Sequence, residues 1–313
     1  MFWRALLDAL AASQSVQMFA SRYGLPAGGG FAGRFVAGTT VADAVAVARR
    51  IESTGIAQRL DYLGAVVSTL AEADAATRGV VRVIQEVAAA GVGRQLSLRL
   101  TQVGLKVDRA TCVDNLRRIL DPAGAVGLLV WIEMESSSYT EVTHLIFETL
   151  WQQGYRNAGL EVQARLRRTF ADVQRLNGLG ARVRLVRGAY PESKRIAYRS
   201  NAQIERAFIT IMELLLTGGT NPAIATDDPR LLRTTGQFAG THSIPPERYE
   251  LQMSYGVRPD LQAALHASGY RVRVSIPFGQ EWFRYVMHRI GERPLDSRFL
   301  IQSVLSRPRQ PLM

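Results

Sequence analysis

Cysteine is nearly absent: Cys112 is the only one in 313 residues. That excludes an internal disulfide, leaves too few thiolates for a zinc centre and suits a reducing compartment. Its setting, Ala110-Thr111-Cys112-Val113 at the start of a helical pattern, favours a packed thiol over a nucleophile. Long apolar runs are missing too. Met1-Phe2-Trp3-Arg4-Ala5-Leu6-Leu7-Asp8 is broken by Arg4 and Asp8, which leaves it too short and too charged for a signal peptide or a membrane span. No other stretch comes closer, so a soluble, cytoplasmic protein is expected. Acidic residues are outnumbered, giving a net charge of +11. Such a balance admits nucleic acid, an anionic membrane face or acidic small molecules. The arginines are scattered, however, and Arg165-Leu166-Arg167-Arg168 sits on a helical pattern with acids nearby. No zinc-finger, RNP or basic-helix motif accompanies them. The charge reads as solvated helix faces, and nucleic acid is not an expected partner.

What is present is an ordinary globular composition, 47% hydrophobic and 21% charged. Short apolar runs at residues 60–63, 96–100, 127–132, 160–162, 183–186, 223–225, 250–253 and 271–276 read as strands. Between them lie segments of 3.6-residue apolar spacing, among them 65–90, 140–153, 162–176, 196–216, 260–267 and 281–290. Eight strand–helix units in succession imply an α/β fold, a closed (β/α)8 TIM-type barrel more than a doubly wound sheet. Residues 1–55 read as an N-terminal helical extension, 56–306 as the barrel and 307–313 as a frayed tail. Gly28-Gly29-Gly30-Phe31-Ala32-Gly33 satisfies G-x-G-x-x-G literally, but Pro26 and a polar helical stretch precede it where a dinucleotide site needs a strand. A flexible loop accounts for it better.

Barrel enzymes gather their chemistry where strands end. Arg99, Glu133, Gln163, Arg184, Arg187, Asp227, Gln252 and Ser275 fall at or beside the ends of the apolar runs. In Arg184-Leu185-Val186-Arg187-Gly188-Ala189-Tyr190, two arginines bracket a strand end and a glycine lets the backbone approach a ligand. Such arginines suit a pyrophosphate or carboxylate, and equally a solvated strand end. Tyr285, His288, Arg289 and Glu292 share one helical stripe, either an exposed polar face or a ligand-facing one.

These residues carry a resemblance to the proline dehydrogenase family. Residues 184–190 resemble its R-L-V-K-G-A-Y-W motif, 249–258 its Y-E-F-Q-M-L-Y-G-I-R, 269–279 its G-Y-R-V-R-V-Y-V-P-Y-G and 285–294 its Y-x-x-R-R-L-x-E-R-P. Phe35-Val36-Ala37-Gly38-Thr39 and Leu60-Asp61-Tyr62-Leu63-Gly64 match early family segments, and the matches keep their order from about residue 20 to 305. The resemblance implies a distorted barrel holding FAD at the C-terminal ends of its strands. Gln163, Arg184, Arg187, Gly188, Ala189, Thr226, Asp227, Gln252 and Glu292 would then line the cofactor. Arg99, Glu133, Tyr190, Ser275, Tyr285, His288 and Arg289 would line the substrate. It implies hydride transfer from the ring carbon beside the nitrogen of a small cyclic amino acid to flavin N5. The electrons would pass to an acceptor, usually a membrane quinone, which would bring the protein to a membrane surface peripherally.

Departures from the family pattern concentrate at the substrate. His288 replaces an arginine that grips the carboxylate, Arg99 a lysine, Arg187 a lysine and Glu133 an aspartate. Asp227 stands for a histidine, Pro191 for a tryptophan and Ser275 for a tyrosine that would pack on the proline ring. Two readings stay open: a dehydrogenase for proline, a ring-substituted proline or a related cyclic amine, or an FAD- or anion-binding barrel with a decayed substrate site and no turnover.

Overall fold

The computed structural model describes residues 31–292, with side chains for 33–287. The glycine-rich stretch before Phe31, the side chains of His288, Arg289 and Glu292, and the tail lie outside the described residues.

Eight parallel strands close into a barrel in chain order, β1-β2-β3-β4-β5-β6-β7-β8. They are β1 (Ala57–Tyr62), β2 (Gln95–Arg99), β3 (Leu129–Glu133), β4 (Ala158–Gln163), β5 (Arg182–Val186), β6 (Ala223–Ala225), β7 (Glu250–Ser254) and β8 (Val272–Phe278). Each coincides with an apolar run in the sequence. Helix α1 (Val41–Glu52) precedes β1, and helices α2 (Leu70–Ala90), α3 (Arg109–Ala125), α4 (Ser137–Gln152), α5 (Thr169–Gly178), α6 (Asn201–Gly218), α7 (Pro229–Thr241), α8 (Pro259–Ala267) and α9 (Trp282–Glu292) follow the strands in turn. The distorted (β/α)8 expectation holds.

Local chemistry sets these boundaries. Helix α2 opens on a capping box, in which the Thr69 side chain accepts from the Glu72 amide and Glu72 from the Thr69 amide, and it ends on Gly91 at φ +66°. Its buried residues Ala73, Val80, Ile84 and Val87 recur on one stripe, which the barrel wall covers. The sequence pattern had this helix beginning earlier. Thr69 stops it, because a capped amide cannot also continue the helix. Residues 162–176 read as helix, yet β4 runs to Gln163 and α5 starts only at Thr169. One apolar run there serves a strand end and a helix start. Helix α1 packs on β1 and β8, burying Ala44, Val47 and Ala48.

The two faces of the strands differ in chemistry. Leu60, Leu96, Leu98, Val130, Ile132, Leu160, Val162, Val183, Leu185, Ile224, Leu251, Val274 and Ile276 belong to one core cluster with the helices. The alternate positions bond to one another across strands that are not neighbours: Gln95 of β2 to Glu250 of β7, Arg184 of β5 to Gln252 of β7, Arg59 of β1 to Glu133 of β3. Such bonds run through the lumen. Where a barrel interior is ordinarily packed with branched aliphatic residues, this one is filled largely with arginine, glutamate and glutamine.

Trp131 occupies the lumen with Leu129 and Ala223, its indole N–H donating to Gln95 Oε1 at 2.7 Å. Room for its ring comes from Gly159, where an added Cβ would lie 2.6 Å from the ring carbons. Gly159→Ala is therefore expected to lower the unfolding free energy by about 1–3 kcal/mol in urea melts, since the ring cannot move without losing its hydrogen bond. An unchanged midpoint would show that the ring is free to shift.

Candidate active site

The lumen array is built from residues at alternate strand positions. Arg59 and Asp61 come from β1, Ser97 and Arg99 from β2, Glu133 from β3, Glu161 and Gln163 from β4, Arg184 from β5, Gln252 from β7 and Ser275 from β8. Arg99 Nε lies 3.5 Å from Glu133 Oε2, and Arg59 Nη2 lies 3.6 Å from Glu133 Oε1, so each carboxylate oxygen faces a guanidinium. Arg184 donates through Nε to Gln252 Oε1 at 2.6 Å and through Nη1 to Glu161. Ser97 Oγ donates to Asp61 Oδ1 at 3.0 Å.

Burial decides the charges. Desolvation pushes the Glu161 carboxyl up to about 7, against the pull of Arg184. It raises Asp61 as well, reinforced by the charge of Glu133. Glu133 is the exception. Burial would raise it too, but Arg59 and Arg99 outweigh burial and hold it below the usual range, ionised. Burial alone would lower Arg99, yet the ionised Glu133 beside it carries it above its ordinary value. Three guanidinium groups, Arg59, Arg99 and Arg184, thus face one carboxylate held ionised, Glu133, and two carboxyls that burial pushes toward their neutral forms, Asp61 and Glu161, while the same burial lowers Arg59; the array leans positive. It is matched to an anion.

The loop after β5 borders this array. Burial raises the Tyr190 phenol so that it stays protonated, against the opposing pull of the nearby Arg99 guanidinium. The Tyr190 carbonyl accepts from Arg165 Nη1 at 2.7 Å. Gly188 has φ +90°, and a Cβ there would meet Gln163 Oε1 at 2.9 Å and Arg165 Cβ at 3.2 Å. Gln163 donates its amide N–H groups to the carbonyls of Met134 at 2.9 Å and Glu135 at 3.0 Å. Its oxygen is left buried with no partner among the described residues. A buried acceptor without a donor costs about 1–3 kcal/mol, so this one fits a ligand N–H. Arg187 donates to Asn201 Oδ1 at 2.8 Å, beside the N-terminus of α6. A guanidinium and a helix N-terminus together suit a phosphate. An orphaned amide acceptor, a glycine cradle and a net-positive array fit a flavin dinucleotide.

Other expected residues fall elsewhere. Gln252 is wholly inside the barrel, donating to Glu250 Oε1 at 2.5 Å and accepting from Arg184, so it acts on the array through Arg184. Asp227 accepts from the Ser254 amide and hydroxyl, both at 2.8 Å, and ties the ends of β6 and β7 together. Thr226, half-buried, accepts from the Asp228 amide at 3.1 Å. Ala189 lies in the half-buried loop after β5. Tyr285 packs against the cluster of Val36, Leu63, Trp282 and Val286. Ser275 Oγ accepts from Arg59. Cys112 is fully buried, its thiol pushed up to about 12 by desolvation, which removes it from nucleophilic chemistry.

Sequence reading passed over Arg59, Asp61, Glu135 and Glu161. Glu135 accepts from the Thr101 amide at 3.1 Å and hydroxyl at 2.6 Å, bracing the turn after β3. Glu161 had one available signal, a charge between apolar neighbours inside a strand run; Arg59, beside Gln58 and just before the apolar run at 60–63, had none. A groove of about 600 Å³ lined by Arg78, Val81, Arg82, Arg118 and Asp121 lies outside the barrel and touches none of these residues. Among the described residues no His, Cys, Asp and Glu cluster could hold a metal, and no helix is long and apolar enough to cross a membrane.

A sequence model of the family described as Proline dehydrogenase matches residues 44–300. The chain belongs to the proline dehydrogenase family. Proline dehydrogenase 1 of Bacillus subtilis (strain 168) is 35% identical over 298 residues, covering 95% of this chain and 97% of that protein. The proline dehydrogenase of Deinococcus radiodurans is 34% identical over 276 residues, covering 87% of this chain and 89% of that one. A crystal structure of proline utilization A from Bdellovibrio bacteriovorus superposes with a TM-score of 0.79 at 22% identity, over 90% of this chain. This chain spans 36% of that structure's length, and the likeness bears on fold alone. The protein is thus a proline dehydrogenase-like oxidoreductase of a flavoenzyme family.

The buried carboxyls generate a pH test. A carboxyl raised on folding holds its proton in the native state after the unfolded chain has lost it. Its effect is that stability falls as pH rises from the unfolded value to the folded one. Unfolding free energy should therefore decline as pH rises from the ordinary glutamate range toward about 7, where Glu161 titrates in the folded state, and the raised Asp61 contributes in the same direction. Glu161→Gln should flatten that decline by up to about 3 kcal/mol. Identical slopes in urea melts of both proteins would show that Glu161 is ordinarily ionised.

Proposed function

We propose that this barrel binds FAD across the C-terminal ends of its strands and oxidises proline or a ring-substituted cyclic amino acid at the ring carbon beside nitrogen. The observation that carries this reading is the orphaned Gln163 oxygen facing the Gly188 cradle beside a net-positive lumen. Bound there, the flavin would supply the hydride acceptor at N5.

The chain's own residues would do the rest. Arg184 and Gln163 would hold the ring system, Arg187 and the N-terminus of α6 the pyrophosphate, and Gly188 and Ala189 would let the backbone come close. Thr226, Asp227, Gln252 and Glu292 would support that binding from the rim and the lumen. Arg99 would hold the substrate carboxylate, in concert with Arg289 and His288 from α9. Tyr190, kept protonated by burial, would donate a hydrogen bond, and Tyr285 and Ser275 would wall the ring.

A positive array also bears on proton state. Hydride leaves readily only from the neutral amine, and nearby guanidinium groups lower the proton affinity of a bound ammonium. Glu133 would oppose this if its charge were bare, but both of its oxygens face arginines. The site would thus favour the reactive, deprotonated amine. Electrons would then pass to a quinone at a membrane surface.

The purified protein is expected to be yellow, to release FAD on denaturation and to bleach on anaerobic mixing with proline, hydroxyproline or a related cyclic amine. Arg184→Met should lower the flavin content of the purified protein severalfold. A colourless protein that takes up no FAD overturns the reading. A yellow one that no cyclic amine bleaches supports a decayed site.

A further inference from the structure

Arg59 is a fully buried guanidinium in the lumen, 1% exposed, level with Ser275 in the β1–β8 register. Two of its nitrogens converge on one oxygen, Nε at 3.2 Å and Nη2 at 2.7 Å from Ser275 Oγ. Nη2 also lies 3.6 Å from Glu133 Oε1. The third nitrogen, Nη1, is buried with no hydrogen-bond partner among the described residues.

We propose that Arg59 is a specificity-determining positioning residue: it commits the Ser275 hydroxyl to act as a hydrogen-bond donor, and so selects a cyclic amino acid whose ring carries an acceptor oxygen. The inference rests on the oxidation of a cyclic amino acid proposed above and deepens it.

A serine hydroxyl has one proton and two acceptor lone pairs. Arg59 supplies donors to the oxygen from both Nε and Nη2, so the lone pairs are engaged and the remaining capacity is the proton. That proton has no acceptor among the described residues. Ser275 is buried, and its hydroxyl lies in the lumen beside Arg59, so an acceptor for its proton would have to come from a group entering the lumen. The space beside a small serine is therefore no apolar hollow. A guanidinium fills it and polarises the wall.

A purely structural role is a poorer account. Filling volume calls for an aliphatic side chain, because burying a guanidinium carries a desolvation penalty of several kcal/mol that only well-satisfied partners offset. Here Nη2 also faces Glu133, but Nη1 is unsatisfied and two nitrogens converge on the hydroxyl of a residue of the wall itself. Both the serine proton and Nη1 call for acceptors. An alkyl substituent offers none, whereas a ring hydroxyl offers two lone pairs.

The test compares flavin reduction by trans-4-hydroxyproline and by proline in the wild-type holoprotein and in Ser275→Ala, Arg59→Met, Arg59→Lys and the Ser275→Ala/Arg59→Met double variant. Flavin content and circular dichroism report folding of each. The wild type is expected to prefer the hydroxylated ring. Its kcat/KM ratio should fall about tenfold in Ser275→Ala and in Arg59→Met, as loss of one hydrogen bond predicts. The loss should lie mainly in KM for hydroxyproline, and the double variant should fall no further. Arg59→Lys keeps the charge but cannot fork, so it should lose at least about threefold, and it decides the matter if Arg59→Met does not fold. An unchanged ratio in Arg59→Met or Arg59→Lys overturns the proposal, as does a wild type that reduces flavin with proline but shows no preference for the hydroxylated ring. A wild type reduced by neither overturns the function on which it rests, a result already visible before any variant is made.

Discussion

Guanidinium–carboxylate pairing inside a closed barrel is the interaction on which the rest of this structure depends. Arg59, Arg99 and Arg184 face Glu133 and Glu161 in a lumen from which water is largely excluded. An isolated charge there would carry a large desolvation penalty, so each must be matched. The match is incomplete in a directed way. Burial raises two of the carboxyls, Asp61 and Glu161, while Glu133 stays ionised between two arginines. The surplus is positive, and it lies within the barrel of a flavoenzyme family.

Supporting such a lumen is a matter of the outer layer. The apolar faces of the strands and the inward stripes of the helices form one continuous core. Because that core lies between sheet and helices, the lumen need not be apolar for the barrel to stand. The polar chain from Trp131 through Gln95, Glu250, Gln252 and Arg184 to Glu161 is bonded link by link, which also holds the arginine at a set position. Preorganisation of this kind spares a ligand the ordering of its own site.

Residues that close apolar runs were legible as site candidates. Arg99, Glu133, Gln163 and Arg184 all lie in the lumen, where a barrel's strand ends direct them. Others were legible only as residues and not as roles. Asp227 clasps Ser254, and Gln252 supports Arg184, because partners distant in sequence claim their hydrogen bonds. Arg59 and Glu161 escaped notice for a physical reason. A charge in mid-strand can point to either side, and a single strand carries no information on which side will be enclosed.

By itself the sequence determined the eight strand–helix units and their order, because short apolar runs and 3.6-residue apolar spacing are local properties of the chain. It also determined the family, through motifs spread along most of its length. Only the tertiary structure decided which parity of each strand faces the lumen, and with it that Arg59 meets Ser275, 216 positions away. Closure of β8 onto β1 makes that contact, and the same burial pushes Asp61 and Glu161 up while the arginines hold Glu133 down. Protonation in a shared, desolvated space depends on all its neighbours at once, and no stretch of the sequence holds them together.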